Sequence, residues 1–285
     1  MSIYFLHSRD TKFQASKYFF IFQKTFPEKN IFMISIEDIS KIFLNDKDLV
    51  LSFDFYEFNK LKEVAEIVQI KNAKFGLFFG DSLQYFELIY KQFIPLIDFC
   101  FTHELGESTV YENYCGIPSF DHPIFQTNSI NYNNLSKTPL ITDLKNRENY
   151  FVHLGQLDSR RFGRDNMREA LKQIKKSYKL YGPGSENDEF LEFDEINRKL
   201  SNCIFGLLPC AASTSDPLSR NNKLIKYQFK GKIWEYMIAG CIPVVDYAPN
   251  IHRLGLKEGI HYLSVSSFNL QELKRISNIS LEELS

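Results

Sequence analysis

Phe229-Lys230-Gly231-Lys232-Ile233-Trp234-Glu235-Tyr236-Met237-Ile238-Ala239-Gly240-Cys241-Ile242-Pro243-Val244-Val245 is the stretch from which the fold is read. A glycine-bearing loop opens a helical segment that stops at Gly240 and runs straight into an apolar strand. Gly240 suits the left-handed position that closes a helix. Pro243 near a strand start is tolerated where no ladder donor is needed. The loop end at Gly231 and Lys232 would present unbonded amides and the positive end of a helix dipole, both of which attract phosphate. Lys232 adds a point charge there. Glu235, one turn further in, would face the same mouth, where a carboxylate accepts hydrogen bonds from ribose hydroxyls.

Working outward, short apolar runs alternate with amphipathic stretches, the pattern of parallel sheets with crossover helices. In the first half, strands are expected over residues 2–6, 30–34, 48–53, 74–79 and 97–102, with helices over 11–26, 56–70 and 82–93. Leu61, Val64, Ala65 and Val68 give the second of these helices one apolar face. In the second half, strands are expected over 150–154, 177–181, 203–209, 241–246 and 261–265, with helices over 164–174, 189–200, 232–239 and 270–276. Between the halves, residues 126–134 are polar and carry no apolar period. This divides the chain into a domain at 1–130, a linker at 131–149 and a domain at 150–285. No repeat links the two halves residue by residue.

The bulk numbers narrow the function classes. The 285 residues carry 34 basic and 35 acidic side chains, a net charge of −1. Such a chain has no global field for a polyanion, and no basic block tracks nucleic acid. The 27 Phe and 15 Tyr read as core filler and compositional drift. Cys100, Cys115, Cys203, Cys210 and Cys241 form no CxxC pair, and an odd count in apolar surroundings points to thiols in a reducing compartment. The amino terminus lacks the pattern of a signal peptide, and no apolar run approaches the ~18 residues of a membrane span. A cytoplasmic protein is expected, with peripheral membrane contact left open. No GxGxxG follows a first strand, since Leu154-Gly155-Gln156 supplies one glycine of the three.

The segment from Lys232 to Val244 resembles the donor-site helix of GT-B fold glycosyltransferases. There a Lys–x–x–Glu–Tyr–(x)3–Gly–x–Pro–Val pattern is frequent; here one extra residue separates Gly240 from Pro243. The resemblance extends over roughly residues 150–273. His153-Leu154-Gly155 followed by Arg160, Arg161 and Arg164 is similar to the family's first donor-domain strand and loop, where a glycine admits substrate to the backbone and a basic residue meets phosphate. Arg161 is favoured for that role, since guanidinium presents a planar fork of donors. Gly182 resembles the glycine turn near the base pocket, and Pro209 ends the strand beside the nucleotide. The resemblance implies an α/β fold class of two Rossmann-like parallel-sheet domains facing a cleft. It also implies diphosphate bound by Lys232 and ribose bound by Glu235. Many retaining members carry another Glu eight residues before this one; here that position is Tyr227.

The implied activity is transfer of a sugar from a nucleoside diphosphate sugar to a saccharide or glycolipid hydroxyl. No DxD-like metal triad stands in a suitable context, so neither metal nor cofactor is expected beyond the donor as co-substrate. Phe120-Asp121-His122-Pro123 offers two adjacent ligands without a third, which is poor support for a metal. An inverting transferase needs a general base tuned towards neutrality. Asp81 and His103 at strand ends are the candidates, with His7 behind them. Two rivals stand beside this reading: a sugar-nucleotide epimerase on the same fold, and a non-catalytic nucleotide-sugar-binding protein, which Tyr227 favours.

Overall fold

The computed structural model describes residues 1–9, 11–53, 58–79, 90–102, 105–121, 143–155, 157, 163–184, 193–211, 227 and 231–284. The chain divides into two compact units, Met1–His122 and Pro123–Ser285, each described by itself.

The first unit carries β1 (Ser2–His7), α1 (Lys12–Thr25), β2 (Asn30–Ser35), β3 (Leu49–Ser52), α2 (Phe58–Ile70), β4 (Lys74–Phe79), β5 (Phe99–Thr102), α3 (Glu107–Cys115) and β6 (Ser119–Asp121). Its six strands are all parallel, in the order β2-β1-β3-β4-β5-β6. The expected face of α2 is the buried one, with Leu61, Val64, Ala65 and Val68 all in the core. The phenylalanines form a cross-strand row: Phe53 stacks on Phe78 at 4.2 Å and Phe78 on Phe101 at 4.5 Å, with Tyr18 of α1 packed over the first two. Ring pairs of this kind stabilise a sheet face beyond the area they bury. Part of the aromatic load is therefore core, while Phe32, Phe43 and Tyr114 lie exposed.

The second unit carries β7 (Asn149–Leu154), α4 (Arg164–Gln173), β8 (Tyr178–Tyr181), α5 (Phe193–Ser201), β9 (Cys203–Leu208), α6 (Lys232–Ile238), β10 (Ile242–Val245), β11 (Leu263–Ser264) and α7 (Leu270–Ser277). Its sheet is also all parallel, in the order β11-β10-β9-β7-β8. Numbered within its own unit, the second sheet reads 2-1-3-4-5 and the first the same order with a sixth strand added at the edge, so the halves share a topology that no residue-level repeat betrays. In that order the chain switches direction between the first and third strands, β1 and β3 in one unit and β7 and β9 in the other. Ligands of open α/β sheets bind beyond the carboxyl ends at such a switch.

The deciding segment folds as read. Gly240 is left-handed at φ 73°. Gly240 N–H bonds Met237 O and Cys241 N–H bonds Tyr236 O, the paired bonds of a Schellman closure. Arg147, which lies in the stretch expected as linker, is buried; its Nη1 donates to Cys203 O at 2.6 Å and Gly240 O at 2.7 Å. A cation thus sits at the carboxyl end of α6, where the helix carbonyls favour it.

Three expectations are corrected. Residues 90–96 form a 3-10 turn, Tyr90–Leu96, with Pro95 inside it; proline there removes a donor and breaks helix continuation. The part of that expected helix at 82–89 lies outside the described residues. α3 and β6 were not foreseen, and the strand expected over 261–265 shortens to the two residues of β11. Among the described residues no helix is long and apolar enough to cross a membrane, and no disulfide joins the cysteines.

Candidate anion-binding site

The carboxyl ends of β7 and β9 are closed by α6 through one hydroxyl and one ammonium. Gly206 of β9 leaves room for the ring of Tyr236 to lie directly against the strand. Tyr236 is fully buried; its hydroxyl accepts from Leu154 N–H at 2.9 Å and donates to Leu207 O at 3.2 Å. Burial pushes this phenol well above its ordinary range, so it keeps its proton for Leu207. One turn earlier on the same face, Lys232 Nζ donates to Leu154 O at 2.9 Å. Residues four apart on a helix lie one above the other, which is why one strand end receives both.

Beyond Leu154 the backbone is shaped by glycines. Gly155 has φ 135° and Gly182 φ 117°. A Cβ on Gly155 would stand 2.5 Å from Lys232 Nζ, and one on Gly182 would stand 2.7 Å from Gly155 O. Gly155 N–H bonds Tyr181 O and Leu157 N–H bonds Pro183 O, so the loops after β7 and β8 pack main chain to main chain. The sequence placed Gly155, Gly182 and Lys232 on one site, and the structure brings them together. Pro209 is buried immediately after β9, and Gly231 is the buried N-cap of α6.

Two details differ from expectation. α6 has only seven residues, so few peptide dipoles sum along it and the charge of Lys232 carries more of the field than the helix does. Glu235 is 1% exposed and its Oε2 is closed to solvent, where spacing alone placed it at an open mouth. The inner face of the helix packs against the sheet, and Glu235 lies with Ile233 and Tyr236 among its buried residues.

The structure adds two residues that the sequence did not single out. Arg164, first residue of α4 and preceded by left-handed Gly163, is 7% exposed. It acts electrostatically on both Tyr236 and His153, so its guanidinium belongs to this cluster. His153 of β7 is 1% exposed and its Nδ1 lies 2.9 Å from Leu207 O. Burial, then the charge of Arg164 and more weakly of Lys232, holds its imidazole well below the ordinary histidine range. A histidine inside an apolar run, two residues before a glycine, was the available signal.

The remaining sequence candidates fall as follows. Arg161, Asp81 and His103 lie outside the described residues. His7 ends β1 at the switch point of the first sheet, with Nδ1 3.0 Å from Ser8 O. Asp121 accepts from Gly106 N–H at 2.8 Å and Ser108 N–H at 3.0 Å, so it caps α3; no group of three or more metal-ligating side chains occurs among the described residues. At position 227 the tyrosine ring meets Tyr247 edge-on at 5.3 Å. Asp246, at the end of β10, accepts from Cys210 N–H at 2.8 Å and Tyr247 N–H at 2.7 Å, and burial raises its pKa.

No protein-family model matches the chain, and no curated protein does. Solved structures match in fold. The pneumococcal O-GlcNAc transferase GtfA in complex with UDP and GlcNAc aligns with a TM-score of 0.53 at 14% identity, over 87% of this chain and 54% of that one. An alpha-glucosyltransferase in complex with UDP and a 13-mer DNA containing a HMU base aligns at 0.54 and 13% identity, over 86% and 79%. TarM aligns at 0.52 and 12% identity, over 87% and 51%. The chain spans about half the length of GtfA and TarM. The likeness is one of fold: two parallel α/β sheets in the two-domain GT-B architecture of glycosyltransferases.

Proposed function

We propose, from the GT-B fold and the cationic cluster at the ends of β7 and β9, that this chain transfers a sugar from a nucleoside diphosphate sugar to an acceptor hydroxyl. The observation that carries the reading is the meeting of Lys232 with the backbone of Leu154, Gly155 and Gly182 at a topological switch point, with the charge of Arg164 acting on His153 of the same strand. Two cations beside side-chain-free backbone suit a diphosphate, whose oxygens accept charge-assisted hydrogen bonds. GtfA and the alpha-glucosyltransferase are both described in complex with UDP, which supports the same ligand class here.

In this reading the donor is the only co-substrate. The departing diphosphate has its growing charge met by Lys232 and Arg164, with Arg161, three residues before Arg164 in the sequence, proposed as a third partner. Such preorganised charge stabilises a transition state without reorganisation of solvent, and the reading is metal-independent for that reason. The acceptor is proposed to be a saccharide or glycolipid hydroxyl, deprotonated by Asp81, His103 or His7.

Calorimetry with UDP and GDP, followed by transfer assays with the matching sugar nucleotides, tests the proposal. Binding that is unchanged in Lys232→Ala and Arg164→Ala would remove the site. Binding without transfer to any acceptor would instead favour a nucleotide-sugar-binding protein, the reading that the Tyr227–Tyr247 ring pair supports.

A further inference from the structure

We propose that His153 takes up a proton on Nε2 when a nucleoside diphosphate binds, and that the imidazolium donates a hydrogen bond to the phosphate oxygen that leaves the sugar. This rests on the site reading above and adds a residue to it.

The tautomer follows from the geometry. Nδ1 lies 2.9 Å from Leu207 O, and a carbonyl only accepts, so Nδ1 carries the ring proton. In the neutral ring Nε2 is then a bare lone pair. It is buried, and among the described residues it has no hydrogen-bond partner. A buried polar atom left unsatisfied costs stability and calls for an explanation. Its position gives one. Nε2 lies 3.7 Å from the point where a Cβ on Gly155 would stand, and Lys232 Nζ lies 2.5 Å from that same point. Imidazole and ammonium therefore flank one place beside the Gly155 backbone, which the Lys232 ammonium occupies.

The groups packed around the ring set its charge state. β9 supplies the Leu207 carbonyl, which also accepts from Tyr236 of α6. α6 supplies Lys232 and the neighbouring carboxylate Glu235, and α4 supplies Arg164. Burial and the two cations keep the empty ring neutral. A diphosphate bound here reverses that balance, because its charge offsets Lys232 and Arg164 and its oxygens accept from a protonated Nε2. The proton comes from solvent as the ligand enters.

During transfer the bond from the anomeric carbon to the phosphate oxygen breaks and a bond to the acceptor oxygen forms. The electron pair stays on the phosphate oxygen, which gains negative charge, and the acceptor proton passes to its own base. Nε2–H faces the oxygen whose charge grows, so its hydrogen bond strengthens as the sugar departs. When the diphosphate leaves, the proton returns to solvent.

The test is calorimetric titration of the full chain with UDP and with GDP, in two buffers of different ionisation enthalpy, from pH 6 to pH 8. The expected result is proton uptake on binding, with affinity falling by up to about tenfold per pH unit. In His153→Gln, whose amide reaches the same place without titrating, the uptake due to the ring vanishes and the pH dependence falls to that of the nucleotide's own terminal phosphate, which titrates at about pH 6. Binding by the parent without proton uptake, or uptake that persists undiminished in His153→Gln, overturns the inference and leaves the site intact. Failure of the parent to bind any nucleoside diphosphate overturns the site and this inference together. Histidine 15N spectra of the parent, with and without UDP, give a second measurement independent of the variant's folding. Nε2 of one ring is expected to pass from bare to protonated, and an unchanged signal counts against the proposal.

Discussion

The ammonium of Lys232 and the main chain of Leu154 are joined by a 2.9 Å hydrogen bond, so the first residue of α6 is fastened to the last residue of β7. The same strand end is gripped again by the Tyr236 hydroxyl, which receives the Leu154 amide. α6 therefore holds both backbone groups of Leu154, one by a charge and one by a neutral phenol. The two grips have separable consequences.

Lys232→Ala removes the charge and keeps the phenol. One charge-assisted contact contributes about 1.5–3 kcal/mol, so affinity for UDP or GDP is expected to fall by roughly ten- to a hundredfold. The urea midpoint should move little, because Tyr236 still anchors the strand. Calorimetry and urea denaturation on one preparation check both halves of the statement.

Tyr236→Phe reverses the pattern. The ring still fills the space over Gly206, but the Leu154 amide and Leu207 carbonyl lose their shared partner. Leaving buried groups unsatisfied costs about 1–3 kcal/mol. The unfolding transition of this variant should shift by that amount at unchanged m-value, and an unaltered transition would mean that water replaces the hydroxyl.

These elements show what the sequence made legible. Apolar runs bounded by turns located ten of the eleven strands among the described residues, and Gly240 announced the Schellman closure because only left-handed backbone ends a helix that way. α3 was hidden: it is nine residues between two glycines, buries only Glu107 and Tyr111, and so shows no apolar stripe. β6 has three residues, too few for a period. In the candidate site, the positions of Lys232, Gly155 and Gly182 were legible because each stands at the end of a strand or the start of a helix. Arg164 was not, since the sequence offers three arginines within residues 160–164 that look alike, and the burial of Arg164 is a tertiary fact. His153 was missed because every neighbour from Tyr150 to Val152 is buried, and in such a strand one polar residue reads as filler.

Gly240→Ala tests the closure itself. The residue sits at φ 73°, and its Cβ would meet Arg147 Nη2 at 2.7 Å. Left-handed backbone costs a non-glycine residue roughly 1–2 kcal/mol, and displacing Arg147 from the Cys203 and Gly240 carbonyls adds to that. A loss of at least about 2 kcal/mol in unfolding free energy is expected on these grounds. Gly116→Ala, also left-handed but with open space around its Cβ, should lose only the backbone part. Equal losses in the two variants would show that Arg147 moves aside freely.

His153 carries a pH dependence in the ligand-free protein. Its folded pKa lies well below the ordinary value of 6.5, so between that depressed value and 6.5 the unfolded chain binds more protons than the folded one. Unfolding free energy then rises with pH across this window, by up to about 1.4 kcal/mol per unit for one group. Stability is expected to be fully present above pH 6.5 and to be lost as the solution is acidified below it. Asp246, whose pKa burial raises, contributes in the opposite direction at lower pH, so the informative quantity is the difference between the parent and His153→Gln. That difference should change between pH 6.5 and 5 and should level off above 7. Parallel stability curves for the two proteins would mean that the imidazole is protonated within the fold, and that Leu207 alone does not fix its state.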